Sequence, residues 1–244
     1  MTRLLLTICL LLSPVAFADY DTLLSDGNLQ AHYACEDNAA SATVANSAGT
    51  DGSIVTGGPN TSDISTTGPT AWQSLAFDVS DERIGFGDAL EFTGSFTVAF
   101  WANRDVTSAN HSVVTSLAAD RIAFWSGTTE LRVVIDGTPY VLAVSDTDNW
   151  HHYVVIYRAS DDTIDLIVDG VETDVDNAGP SSLTWTINRF AVTSASTDYF
   201  DGQLSDIFIF DRDLSLAEAQ DLYNGPSTGP SIPLIHYYRQ MMSR

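Results

Sequence analysis

Two Asp-Gly pairs constrain this chain more than any other feature. Asp136-Gly137 lies between Leu131–Ile135 and Tyr140–Val144, and Asp169-Gly170 lies between Ile164–Val168 and Val171–Val175. The flanking runs are rich in β-branched and aromatic residues, and each glycine can take the positive φ that a tight turn needs. Two β-hairpins are therefore expected. Similar runs surround them, at Phe96–Trp101 after Gly94-Ser95 and at Trp150–Arg158. Many short strands separated by turn-forming clusters make a sandwich or a barrel. The 244 residues, 44% of them hydrophobic, suffice for one large β domain or two small ones.

One helix is expected after the strands. In Ser215-Leu216-Ala217-Glu218 the Ser215 hydroxyl can accept from the Glu218 amide while the Glu218 carboxylate reaches back. Leu214 and Ala219 can form the hydrophobic staple, and Gly225 after Asn224 is a good stop. So short a helix is marginal alone and must dock on the strands. Residues 46–70, rich in Gly, Ser, Thr, Asp and Pro, read as a surface loop with one strand at Ser53–Thr56.

The N-terminus reads as a secretory signal. Arg3 supplies the positive charge, Leu4–Leu12 the apolar run, and Ala16-Phe17-Ala18 a small-residue cleavage site. The expected division is a signal peptide over 1–18, one domain over 19–225, and a linker and tail over 226–244. The location this implies is secreted, periplasmic or cell-surface. No later segment is apolar for long enough to span a bilayer. Cys9 leaves with the signal, so Cys35 stands alone as a buried small hydrophobe or as one half of an intermolecular bridge.

Charge narrows the partners. Ten basic residues, all arginine, stand against 32 acidic ones, for a net charge of −22. A field this negative repels nucleic acid and anionic lipid head groups. It suits divalent cations, and it equally suits life in salty water with no partner implied.

Taken in order, the strand motifs resemble the laminin-G-like, concanavalin-A-like jelly-roll family. Leu29–Glu36 looks like that family's first strand, and Ser74–Asp78 with Arg83–Phe86 like the next pair. Phe92–Trp101, Asn149–Val154 and Ile164–Gly170 are similar to its central strands. Phe200–Ser215, with its Asp201-Gly202 and Ser205-Asp206-Ile207, is similar to the closing strand, and the helix follows it. The resemblance implies an all-β, antiparallel two-sheet jelly-roll sandwich with one short C-terminal helix. A more distant likeness to pentraxins runs through Arg121–Trp125, but their cysteine pair and their Glu-Gln-Asp calcium cluster are missing. Carried over from the wider family, Asp206 is the side-chain ligand of a structural calcium, and the alternative is that it only hydrogen-bonds neighbouring backbone. Asp120 with Asp198 is a candidate set for a second, rim-located calcium.

Catalytic patterns are sparse. The glucanases of this fold carry Glu-x-Asp-x-(x)-Glu on one strand, whereas Glu36, Glu82, Glu91, Glu130, Glu172 and Glu218 are widely spaced. His151 and His152 are adjacent, so on a strand they face opposite sides and cannot jointly grip a metal. One is expected in the core and the other at the surface.

A glycan site needs aromatics with polar neighbours. Trp125, Tyr140, Trp185 and Tyr199 are the candidates, while Trp101 and Trp150 sit within strand motifs that read as core. The expected function is a binding module for carbohydrate or a surface glycoprotein. Two alternatives stay open. One is a polysaccharide lyase or hydrolase using Arg104, Arg132, Arg158 and Arg189 in a cleft. The other is a structural component of an envelope or virion, docked through 232–244.

Overall fold

Asp136-Gly137 and Asp169-Gly170 both form hairpin turns in which the two central residues have positive φ. Asp136 and Gly137 have φ of 50° and 77°, and Asp169 and Gly170 have 52° and 74°. This mirror-image turn matches the twist of the strands it joins. The first turn joins Glu130–Ile135 (β10) to Thr138–Ala143 (β11), and the second joins Thr163–Val168 (β13) to Val171–Ala178 (β14). The computed structural model describes residues 19–35, 43–54, 64–65, 68–69, 73–77, 83–105, 110–116, 120–125, 129–144, 149–191 and 198–226. The expected signal segment and nearly all of the tail lie outside these residues.

The other strands are β1 (Leu29–Tyr33), β2 (Thr43–Val44), β3 (Gly52–Ile54), β4 (Ile64–Ser65), β5 (Ser74–Phe77), β6 (Ile84–Phe92) and β7 (Phe96–Arg104). After these come β8 (His111–Thr115), β9 (Arg121–Phe124), β12 (His151–Arg158), β15 (Trp185–Phe190) and β16 (Gly202–Phe210). They form two antiparallel sheets. Sheet A has the order β14-β13-β12-β7-β16-β5-β4, with β1 also on β16, and sheet B has the order β11-β10-β9-β8-β15-β6-β3-β2. The stretch expected to be mostly loop carries β3 and β4.

Alternation sorts the side chains. Phe96, Val98, Phe100, Tyr153, Val155 and Tyr157 of sheet A meet Ile122, Phe124, Leu131, Val133, Trp185 and Ile187 of sheet B in the main core. Phe96 stacks on Trp185 at 4.3 Å between ring centroids.

The outer face of sheet A is also apolar, and helices cover it. Ala99, Val154, Ile156, Phe208 and Phe210 pack with Tyr20 and Leu23 of α1 (Tyr20–Leu24) and with Ala219 and Leu222 of α2 (Leu216–Asn224). The capping box at Ser215 and Glu218 is formed, and Gly225 caps the far end with φ of 67°. Helix α1, capped by Asp19, adds a second helix to the single one expected. Arg212 ties the segment after α1 to α2, donating to Asp26 at 2.6 Å and to Glu218 at 2.7 Å. Cys35 is buried. His152 is buried beside Tyr223 of α2, and His151 points to the opposite side of the strand, in phase with Tyr153, and is half-buried.

Candidate functional site

Asp206, the expected calcium ligand, sits at a register shift in β16 with φ of 48° and is buried. Tyr20 Oη donates to both of its oxygens at 3.1 Å, and His32 Nε2 lies 2.7 Å from Oδ1. Calcium takes six to eight oxygens, whereas here two proton donors from α1 and β1 occupy a single carboxylate. That donor set does not fit calcium. Asp206 instead anchors the N-terminal segment to β16.

The second expected set fares similarly. Asp120 is buried, and its oxygens accept from the backbone N–H of Asp136 at 2.8 Å and of Thr186 at 3.3 Å. Burial raises its carboxyl above the usual range. The residue pins the β10–β11 turn to the start of β15, whereas Asp198 follows the other end of β15 and is half-buried. Among the described residues, no group of three or more His, Cys, Asp or Glu side chains is placed to hold a metal.

The four aromatic candidates do not gather. Trp185 is fully buried between the sheets, and its indole N–H donates to the Val134 carbonyl at 3.2 Å. It is a core residue, and the expectation that it contacts a ligand is corrected. Tyr140 pairs with inward-facing Val133 and packs against the main core, half-buried. Tyr199 lies just after Asp198 and is half-buried. Trp125 differs, because it follows β9 in the phase that faces away from the core.

That phase defines a face. Ile122 and Phe124 point inward, so Arg121 and Trp125 point outward, and on β10 Arg132 lies outward between Leu131 and Val133. The Arg132 guanidinium lies 3.9 Å from the centre of the Trp125 ring, and that of Arg121 lies 5.8 Å from it. Glu130 orients Arg132, accepting from Nε at 3.0 Å and from Nη2 at 2.6 Å. Exposed Val141 pairs with Arg132 across the β10–β11 hairpin.

The face continues across β8 and β15. Thr115 of β8 pairs with both Arg121 and Arg189, and Arg189 pairs in turn with Gly85 of β6. Arg83 immediately precedes β6. Burial and the Arg83 charge hold the Arg189 guanidinium below its ordinary value. No motif marks Arg83 or Arg121 as site residues, and Arg132 and Arg189 carry from the sequence only the expectation of a catalytic cleft. The outward phase of Arg121 and Arg132 is visible in the alternation of their strands. Their proximity to Arg189 depends on the strand order.

The four cleft arginines do not converge. Arg104 is buried with its guanidinium 4.7 Å from the Phe124 ring centre, and Arg158 is bound to Asp165 and Asp213. A cleft of about 240 Å³ lies elsewhere, lined by Tyr33, Asn46, Thr50, Phe86 and Asp88 among others. Its polar groups are largely engaged with one another. Asn46 Oδ1 accepts from the N–H groups of His32, Ala48 and Gly49, and Thr50 donates to Asp88. The cleft is also smaller than typical ligand pockets.

Two sheets in this order, closed by a strand and a docked helix, define a concanavalin-A-like jelly-roll sandwich. Residues 78–220 match the family model Laminin_G_3, the concanavalin A-like lectin/glucanases superfamily, and the chain belongs to that family. Its fold is shared with domain 4 of AbnA, a GH43 extracellular arabinanase from Geobacillus stearothermophilus, whose structure holds arabinotriose. The two are 16% identical with a TM-score of 0.61, over 80% of this chain and 98% of that one. The binding domain of Paraclostridial Mosquitocidal Protein 1 aligns at 16% identity and a TM-score of 0.60, over 83% of this chain and 52% of that one. The botulinum neurotoxin serotype D binding domain aligns at 14% and 0.57, over 84% and 52%. This chain thus spans about half the length of each toxin domain. No curated protein matches the sequence.

Proposed function

We propose that this chain is a secreted or surface-held carbohydrate-binding module whose ligand lies on the outer face of sheet B. The observation that carries this reading is the Trp125–Arg132–Glu130 arrangement. A guanidinium laid on an indole makes a flat, rigid platform, and a carboxylate beside it adds acceptors. Flat apolar surface with a few placed polar groups is what sugar recognition needs. The outer face of sheet A is covered by α1 and α2, whereas Trp125, Arg132 and Val141 stay at least partly exposed on the outer face of sheet B. Family membership and the arabinotriose-bound neighbour support the same reading, and the apolar N-terminal segment supports export.

The test is calorimetric titration of the full chain against a panel of neutral and acidic polysaccharides. Binding to at least one is expected, weakened about tenfold by Trp125→Ala or Arg132→Ala, a loss of ~1.4 kcal/mol. Binding to none of the panel would overturn the proposal.

A further inference from the structure

Resting on that reading, we propose that the glycan bound by sheet B is acidic, with carboxylate or sulfate groups received by Arg83, Arg121 and Arg189. The chain has 32 acidic residues for ten arginines, so an arginine should rarely lack a carboxylate. Three arginines show that pairing: Arg132 has Glu130, Arg158 has Asp165 and Asp213, and Arg212 has Asp26 and Glu218. Among the described residues, no carboxylate lies within ion-pair distance of Arg83, Arg121 or Arg189.

These three are also brought together. Arg121 and Arg189 flank Thr115 on neighbouring strands, which sets their Cα atoms about 10 Å apart at the usual strand spacing. Arg83 is close enough to Arg189 for the two charges to oppose each other. Like charges gathered on a half-buried face without a counter-ion cost free energy, which an anion from outside would recover. Arg121 Nε is moreover buried with no hydrogen-bond partner, an unusual state for a charged donor. An acid group bridging Arg121 and Arg189 would satisfy it, and guanidinium is the side chain best shaped for carboxylate and sulfate-like oxyanions. The negative field of the whole molecule opposes any polyanion, so charge alone does not hold the ligand, and the favoured anion is one carried on a sugar that the neighbouring Trp125 platform also engages.

The test measures affinity of the full chain for polygalacturonate, dextran sulfate, neutral dextran, neutral galactan and a single-stranded DNA oligonucleotide, over a series of salt concentrations. Affinity for polygalacturonate or dextran sulfate is expected to exceed that for both neutral polymers by about tenfold or more and to fall with salt. The two acidic arms distinguish carboxylate from sulfate. Arg121→Gln and Arg189→Gln should each cut that affinity about tenfold with an unchanged melting temperature. Arg83→Gln lies outside the strands and gives the same readout if either of the others folds poorly. Without a local cation site, salt would instead strengthen acidic binding by screening the chain's negative field. Neutral polymers bound as tightly, with the arginine variants silent, would overturn this inference and leave glycan binding standing. DNA bound as tightly as the acidic glycans would overturn it as well. Binding to no polysaccharide would overturn both readings.

Discussion

His32 Nε2 lies 2.7 Å from Asp206 Oδ1, and the imidazole stacks on Phe208 with 4.1 Å between ring centroids. Its Nδ1 is 2.7 Å from Ser47 Oγ. Nε2 is the donor in this pair because the carboxylate can only accept. With Tyr20, these residues join α1, β1, the loop after β2 and β16 through one buried carboxylate.

Removing that carboxylate should be costly. Asp206→Ala is expected to lower stability by about 3 kcal/mol in urea unfolding, because it leaves two buried donors unpaired. Tyr20→Phe should cost about 1 kcal/mol. Because the site is filled by donors from the protein, the melting temperature of the full chain should not change between calcium and excess chelator. A loss of melting temperature in chelator, restored by calcium, would contradict this role for Asp206.

Gly202 opens β16 at φ of 134°. A Cβ built there would lie 2.2 Å from the Asn103 carbonyl oxygen and 2.8 Å from the Arg104 Cα, both backbone atoms that cannot swing aside. Gly202→Ala is expected to cost more than about 4 kcal/mol or to prevent folding, measured by soluble yield and urea midpoint. Gly94, where a Cβ meets nothing within 4 Å, is the matched control and should tolerate Ala.

Two histidines set an acid limit. Burial pushes His152 down to about 3, and burial with the nearby Arg104 charge pushes His111 down to about 4. Both fall below the ordinary 6.5, so the unfolded chain binds protons that the folded chain refuses. Their contribution is complete above pH 6.5 and is lost as pH falls toward 4. The slope should be about 1.4 kcal/mol per pH unit for each histidine. The raised carboxyls of Asp120 and Asp221 oppose it at the acid end, so it reads most cleanly between about pH 5 and 6.5. His152→Leu should remove about half of the slope. Stability that is flat with pH across that window would count against both assignments.

Local chemistry was legible in the sequence. The Asp-Gly turns, the capping box and the glycine stop each need only a few neighbouring residues, and each formed as read. Helix α1 was not legible: its five residues gain their order from Tyr20 and Leu23 packing on the outer face of sheet A. The site was less legible for the same reason. Asp206 meets partners 174 and 186 positions away, which no spacing rule reports. Trp125 and Trp185 look alike as isolated aromatics, yet strand phase sends one outward and the other into the core. The grouping of Arg121 with Arg189 exists only because β8 lies between β9 and β15.

The most direct measurement is a crystal structure of the full chain with an oligosaccharide cut from whichever polysaccharide binds. The sugar is expected across Trp125 and Arg132 on the outer face of sheet B, with an acid group between Arg121 and Arg189. Sugar seated instead in the cleft beside Tyr33 and Phe86, or against the helix-covered face of sheet A, would contradict the assignment of the binding face.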